Sequence, residues 1–193
     1  MLKISHLPGL IPYEDGLRLQ EDTVAAVLAK EAPDTLFLLE HQPVYTIGRL
    51  RDQSSLRDSS LLPYPVHDTN RGGQATYHGP GQLTGYPILD LTVRGKDLHE
   101  HLRKIEEALI RACQRFGVQA GRREGLTGVW VENRKLASIG VGVRKWISMH
   151  GFAITPCGLD GVSMTSLEKE AGRSITVAEA AAVIGDEIRA LME

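Results

Sequence analysis

Six apolar side chains fix the most regular element of this chain. Leu98, Leu102, Ile105, Leu109, Cys113 and Phe116 step by four, three, four, four and three residues, which is one face of an α-helix. Asp97 stands where an N-cap belongs and Gly117 where such a helix stops, so a helix is predicted from about Asp97 to Phe116. On either side the pattern changes. Thr35-Leu36-Phe37-Leu38-Leu39-Glu40 is too short for a helix and reads as a buried strand, and Val44-Tyr45-Thr46-Ile47 reads as another. Leu83 to Leu91 is a third, where Pro87 points to an edge or a bulge. Val129-Trp130-Val131 and Leu136 to Val143 form a strand pair turning at Asn133-Arg134, and His150 to Ile154 is a further strand. A helix over Asp15 to Lys30 precedes all of these, and Ser54 to Pro65 reads as a surface loop. Thr176-Val177-Ala178-Glu179 has capping-box spacing and opens a last helix running to about Leu191. Strand clusters separated by helices, without strict alternation, predict an α/β (α+β) fold with a mixed sheet. There is no repeat, linker or low-complexity tract, so residues 1–193 are expected to form one domain.

Charge and apolar content exclude several classes of function. Lys and Arg number 22 against 24 Asp and Glu, a net charge of −2, which gives no general case for binding nucleic acid or an anionic membrane. No apolar run approaches the ~20 residues of a membrane span, and Met1-Leu2-Lys3-Ile4-Ser5 leads into no signal-peptide core. With two cysteines, Cys113 and Cys157, and no secretory signal, a cytoplasmic protein with free thiols is expected. Cys113 belongs to the helix stripe and is assigned to the core. Cys157, between Pro156 and Gly158, fits no stripe and is either a nucleophile or incidental. Metal binding is not expected: C-x-x-C and H-E-x-x-H are absent, and His99 and His101 face different sides of their helix.

The glycines are unevenly spread, with five between Arg71 and Tyr86 and nine between Gly117 and Gly161. The densest stretch is Arg71-Gly72-Gly73-Gln74-Ala75-Thr76-Tyr77-His78-Gly79-Pro80-Gly81-Gln82. Glycines let a backbone approach a ligand closely, Arg71 adds a fixed positive charge, and His78 is a donor or acceptor near neutral pH. One glycine and one histidine would suggest only a hairpin, but the whole constellation reads as a ligand-binding loop. It is not a phosphate loop, because G-x-x-x-x-G-K-[ST] occurs nowhere and Gly95-Lys96 is followed by Asp97. Lys135-Leu136-Ala137-Ser138-Ile139-Gly140 opens with a lysine of the kind usually solvated, yet Gly140 and Gly142 in an apolar strand imply something packed on its backbone.

These segments, with His41-Gln42-Pro43-Val44-Tyr45-Thr46, Gly128-Val129-Trp130-Val131, His150-Gly151-Phe152-Ala153 and Pro156-Cys157-Gly158, together resemble the lipoyl (octanoyl) transferase family. They occur in the family's order and span most of the chain. The resemblance implies the catalytic fold of the biotin and lipoate protein ligases. It implies transfer of octanoyl from acyl carrier protein to a lysine of lipoyl domains, those of 2-oxoacid dehydrogenases and of the glycine cleavage H protein. By position, Cys157 would be the acyl-thioester nucleophile and Lys135 its activating partner. Arg71, Gly72, Gly73, Gln74, Ala75, Thr76, Tyr77, His78, Ser138, Ile139, Gly140, Gly151, Phe152 and Ala153 would line the acyl site. A neighbouring ammonium favours thiolate over the free-thiol pKa of about 8.5, and Lys135 could carry the protons of both half-reactions. A thioester is already activated, so no ATP or other cofactor is expected, and the protein is expected to act as a monomer. The chain departs from the pattern in one place: only Ile154, Thr155 and Pro156 separate Ala153 from Cys157, where the family has about a dozen residues. Four residue steps reach at most ~14 Å, which tethers the cysteine to its strand.

Three other readings have their own signatures: an ATP-dependent lipoate–protein ligase, a catalytically silent acyl-carrier-binding protein, and a Cys–His thioester hydrolase using His78 or His150. An acidic carrier protein would suit a docking patch of Arg49, Arg51, Arg122, Arg123, Arg144 and Lys145, if these converge.

Overall fold

The computed structural model describes residues 1–49, 62–154 and 163–193. Its elements begin with β1 (Lys3–Ile11), α1 (Tyr13–Leu28), β2 (Thr35–His41), β3 (Val44–Ile47), β4 (Val66–Asp68), β5 (Ala75–His78) and β6 (Leu83–Ile88). A 3₁₀ turn, Leu91–Arg94, leads to α2 (Leu98–Arg115), β7 (Gly121–Arg123), β8 (Leu126–Val131), β9 (Arg134–Arg144) and β10 (Ile147–Ile154). The chain closes with α3 (Leu167–Ala171) and α4 (Val177–Met192).

Seven strands make one sheet in the order β1-β2-β6-β10-β9-β8-β7, parallel only between β1 and β2. The other three make a small sheet, β4-β3-β5, with β3 parallel to β4 and antiparallel to β5. The fold is therefore the mixed-sheet α+β domain expected.

β2 lies inside the large sheet and is apolar on both faces. Leu36 and Leu38 join the core beneath α2 and α4, while Phe37 and Leu39 join the one beneath α1 with Val24 and Val27. Helices on both faces remove both sides of β2 from water, which is why its sequence is a continuous apolar run. α2 begins at the predicted cap, where the Asp97 carboxylate accepts from the N–H groups of His99 and Glu100. Its stripe buries Ile105, Leu109, Cys113 and Phe116, and burial pushes the Cys113 thiol up to about 12, as expected of a core residue. α4 starts with Thr176 accepting from the Glu179 N–H.

Pro87 corrects one expectation. β6 is not an edge strand but lies between β2 and β10, with Pro87 opposite Leu36. The missing N–H is absorbed on the β10 side, where pairing with β6 ends at Phe152–Gly85. Beyond that point the Ser148 hydroxyl donates to the Pro87 carbonyl at 2.6 Å and accepts from the Leu89 N–H at 2.9 Å. A side chain there does the work of the ladder. Gly151 is required beside it, because a Cβ would collide with the Gly85 carbonyl and come within 2.6 Å of the Pro87 ring. The hairpin after β8 turns at Glu132 and Asn133, one residue earlier than expected. Most of the predicted loop from Ser54 to Pro65 falls outside the described residues.

His101 is the misfit of the core. It is buried on α2, and neither ring nitrogen has a hydrogen-bond partner. Burial first, then the charges of Arg94 and Lys104, pull its pKa down to about 4. The unfolded chain takes up this proton near pH 6.5 and the folded chain only near 4, so stability is whole above pH 6.5 and drains as pH falls from there towards 4. His101→Leu should therefore be at least as stable as the parent at pH 7. At pH 5 its advantage should grow by on the order of 2 kcal/mol, read by urea unfolding at the two pH values. An advantage independent of pH would contradict this account.

Candidate active site

The small sheet leans over the large one, and a cavity of about 830 Å³ opens between them. Its walls are built by very close backbone approaches. The Gly72 N–H donates to the Val141 carbonyl at 2.9 Å. A Cβ on Gly140 would stand 2.7 Å from the Gly72 carbonyl oxygen, and one on Gly142 would stand 2.6 Å from that of Asn70. The two glycines of β9 thus leave room for the 70–73 backbone itself. Arg71 locks the arrangement: Nη2 donates to the Thr46 carbonyl at 2.9 Å and hydroxyl at 2.8 Å, and Nη1 to the Gly72 carbonyl at 3.0 Å.

Most of the predicted site converges on this cavity. Arg71, Gly73, Gln74, Ala75, Thr76 and His78 line it from the small sheet and the turn before it; Lys135, Ser138, Ile139 and Gly140 from β9; Gly151, Phe152 and Ala153 from β10. Two residues do not. Gly72 is spent on β9, and Tyr77 lies apart from the cavity, its ring 5.2 Å from that of Tyr45 and 5.9 Å from that of Tyr64. Strand alternation puts neighbouring side chains of β5 on opposite faces, so Tyr77 cannot share the face of Thr76 and His78. Cys157 lies outside the described residues.

Tyr13, Thr84, Tyr86 and Trp130 also line the cavity and were not predicted as site residues, and so does His150, which the sequence named only for the hydrolase reading. They sit on four elements, Tyr13 on α1, Thr84 and Tyr86 on β6, Trp130 on β8 and His150 on β10, with no local motif around Tyr13 or Tyr86 to mark them. His150 was visible in the H-G-F-A segment, and its backbone lies in the left-handed region at φ 58°.

At one side of the cavity the polar groups form an ordered, neutral network. The His41 Nδ1–H donates to the Ile11 carbonyl at 2.9 Å, which leaves Nε2 to accept from the Tyr86 hydroxyl at 2.6 Å. The Gln82 amide nitrogen donates to the Tyr77 carbonyl, turning its oxygen to accept from His78 Nδ1–H at 2.7 Å. Burial lowers the pKa of His41 to about 4. Burial, then the neighbouring His41, Arg71 and His150, lowers that of His78 to about 3. His150 falls to about 4 through burial and the charges of Arg71 and Arg49. Tyr13 is pushed up to about 12 and Tyr86 well above the usual range, both by burial. At neutral pH these groups are uncharged beside the Arg71 guanidinium. Among the described residues no grouping of His, Cys, Asp and Glu could hold a metal ion.

The cavity's other side is formed by β8, β9 and the residues that rejoin the sheet at 163–164. Lys135 lies 5.3 Å from the Trp130 ring centroid, and Arg123 lies 4.9 Å from the same ring. The Lys135 N–H donates to the Ser163 carbonyl at 2.8 Å, and the Thr165 N–H donates to the Lys135 carbonyl at 3.0 Å.

Residues 12–155 match the family described as Lipoyl protein ligase A/B catalytic domain. The chain is 53% identical to the octanoyltransferase of Geobacter sulfurreducens, over 95% of this chain and 81% of that one. The chain belongs to the octanoyltransferase family. The octanoyltransferase of Syntrophotalea carbinolica is 45% identical over 96% of this chain and 92% of its own. Both matched stretches, of 195 and 197 positions, exceed the 193 residues of this chain, so these octanoyltransferases carry residues for which it has no counterpart. Among solved structures, lipoate-protein ligase A bound with ATP superposes with a TM-score of 0.72 at 14% identity, over 99% of this chain and 84% of that one. The biotin protein ligase of Aquifex aeolicus superposes with a TM-score of 0.57 at 13% identity, over 98% and 68%. At such identities these two share the fold, as the sequence resemblance led us to expect.

Among the described residues, the Arg122–Arg123 part of the expected docking patch stands apart from the Arg144–Lys145 part. Arg123 is at the cavity, Arg122 is tied to Glu106 and Glu107 of α2, and Arg144 and Lys145 sit at the far end of β9. Nine residue steps from Lys135 amount to about 30 Å of strand. Arg51 lies outside the described residues.

The Gly140 contact gives a direct test of the cavity wall. Gly140→Ala should force the 70–73 backbone off β9, costing on the order of 1–3 kcal/mol of stability and weakening acyl-donor binding several-fold. Gly121→Ala, where a Cβ meets nothing within 4 Å, should leave both unchanged. Thermal melts and donor KM values for the two variants check this.

Proposed function

We propose that this protein is an acyltransferase that carries octanoyl from octanoyl-acyl carrier protein to a lysine of a lipoyl domain, through an acyl thioester on Cys157. The observation that carries the reading is the surroundings of Lys135. Ile154, the last residue of β10, pairs with Ala137 two residues along β9 from Lys135, and Ser163 is hydrogen-bonded to Lys135 itself. The connection holding Cys157 therefore leaves and rejoins the sheet beside this lysine. Cys157 is three residues beyond Ile154, a reach of at most ~11 Å.

The chemistry then balances with two groups. Lys135 Nζ takes the thiol proton, and the Cys157 thiolate attacks the donor carbonyl carbon. The carbon–sulfur bond to the carrier breaks, and the carrier thiolate takes the proton from the Lys135 ammonium. In the second half the neutral amine of the acceptor lysine attacks the acyl-Cys157 carbonyl. Lys135 receives the amine proton and returns it to the departing Cys157 sulfur. No ATP or other cofactor enters, because the thioester supplies the driving force. The neutral residues of the cavity would hold the acyl chain, and Arg123 with the exposed Leu126 would meet the donor at its rim. On this reading the enzyme works as a cytoplasmic monomer and serves lipoyl domains of 2-oxoacid dehydrogenases and the glycine cleavage H protein. Among the described residues no helix is long and apolar enough to cross a membrane.

Intact-mass spectrometry after mixing with octanoyl-acyl carrier protein, without ATP, should show one octanoyl adduct that a lipoyl domain discharges. Cys157→Ala should abolish the adduct, and Lys135→Ala should slow its formation by on the order of 10²- to 10⁴-fold. The same adduct on Cys157→Ala would exclude the assigned nucleophile, and a requirement for ATP with free octanoate would favour a ligase.

A further inference from the structure

Glu106 is a carboxylate only 1% exposed in the middle of α2, and the chemistry above makes no use of it. A buried carboxylate is costly unless every lone pair is met. Its Oε2 accepts from Arg103 Nη1 at 2.6 Å and from Arg122 Nε at 3.0 Å. Arg122 is itself held by the Arg103 carbonyl at 3.1 Å and by Glu107 at 2.9 Å. The other oxygen, Oε1, leaves this ion network and accepts from the backbone N–H of Gly128 at 3.1 Å, in the interior.

Gly128 is an unusual place to spend that bond. Its φ is +128°, a backbone that side chains avoid, and the β8–β9 register slips immediately after it, between Val129 and Trp130. A Cβ at Gly128 would stand 2.6 Å from the Ala137 carbonyl oxygen, 2.9 Å from Lys135 Cε and 3.6 Å from Lys135 Nζ. The bare backbone of Gly128 is thus the surface on which the end of the lysine lies. Near that end is the Trp130 ring, within cation–π distance of Nζ and shared with Arg123.

We propose that Glu106 is a positioning residue for Lys135: by gripping the Gly128 N–H it holds β8 in the glycine-only conformation that seats the lysine end between that backbone and the Trp130 ring. The carboxylate touches neither substrate nor the reacting atoms and acts through Gly128. Arg103 and Arg122 hold it, and Arg123 is the other charge over Trp130. The proposal rests on the reading of Lys135 as the proton carrier, so its test includes Lys135→Ala.

The experiment is single-turnover acylation by octanoyl-acyl carrier protein, followed by intact mass across pH, on the full chain. Glu106→Gln and Gly128→Ala should each slow acylation on the order of 10- to 100-fold, as expected when a catalytic group is displaced by about an ångström. Both should also move the pH midpoint of the rate, in the same direction. Leu109→Ala, a core variant of the same helix, should lower the melting temperature and leave the midpoint where it is. Arg122→Gln removes one of the two guanidinium contacts at a partly exposed side chain, so it carries the same prediction in milder form should the buried variants not fold. Midpoints unmoved in all these variants, with Lys135→Ala inactive, would overturn the positioning role alone. Full acylation by Lys135→Ala would overturn the reading of the lysine and the proposal with it.

Discussion

The cavity exists because the backbone of residues 70–73 lies directly on β9. Two carbonyl oxygens occupy the space that side chains at Gly140 and Gly142 would fill, and a hydrogen bond from Gly72 to Val141 holds the contact between them. That approach fixes the glycine-rich turn of the small sheet directly on the large one. Arg71 then ties the same turn to Thr46 on β3, so one guanidinium couples the glycine-rich turn to the sheet that carries Thr76 and His78. The dense glycines are thus structural in their immediate role and functional in their result. They bring two sheets close enough to enclose a ligand-sized space.

Inside that space the choice of neutral polar groups has a physical cost and a chemical return. His41, His78, Tyr13 and Tyr86 are buried among one another, and desolvation holds the histidines uncharged and the phenols protonated. A network of this kind is tolerable only when satisfied, and the His41–Ile11, His41–Tyr86 and His78–Gln82 bonds satisfy it. Its return is a wall that is rigid without being ionic, apart from Arg71. A further histidine charge beside that guanidinium would be opposed by both burial and repulsion, so the wall keeps one electrostatic state across the neutral range.

The sequence carried the regular parts of this fold and lost the long-range ones. α2 was legible because six side chains obey one period, and β2 because helices on both faces leave it no polar position. β1 was not legible: it is a parallel edge strand interrupted by Pro8 and Gly9, its register slips between His6 and Leu10, and its side chains alternate irregularly between half-buried and exposed, none of them fully buried. Pro87 misled because an interior strand rarely tolerates proline, and the device that permits it, the Ser148 hydroxyl, lies 61 residues away. The glycine segment marked the site, whereas Tyr77 showed that a motif can straddle a strand and send alternate residues to opposite faces. Tyr13 and Tyr86 join the site only through tertiary contacts. Glu106 was hidden differently: on a helix surface pattern it reads as one more charge, and nothing local says that the β7–β8 hairpin will cover it.

The proposed reaction places a demand on the cavity that its two sides meet differently. A carrier-bound acyl chain must enter far enough to be held, and both donor and acceptor proteins must reach the same sulfur in turn. A site closed all round could do the first but not the second. The network around His41 and His78 is anchored in α1, β2, β5 and β6, elements whose side chains are shared with the cores. The Lys135 side is bounded by the β7–β8 hairpin and by the 163–164 segment, where exposed Leu126 and Arg123 reach solvent. Rigidity at the neutral wall and access at the lysine are therefore separated in space. In the proposed reaction only Ile154, Thr155 and Pro156 separate Ala153 from Cys157, so a nucleophile there would be leashed to the end of β10, and the acyl chain would extend from there towards the neutral wall. Chain-length preference then becomes a matter of how much of the space between Lys135 and the histidines the chain can fill, a property of the same glycine contacts that create the cavity.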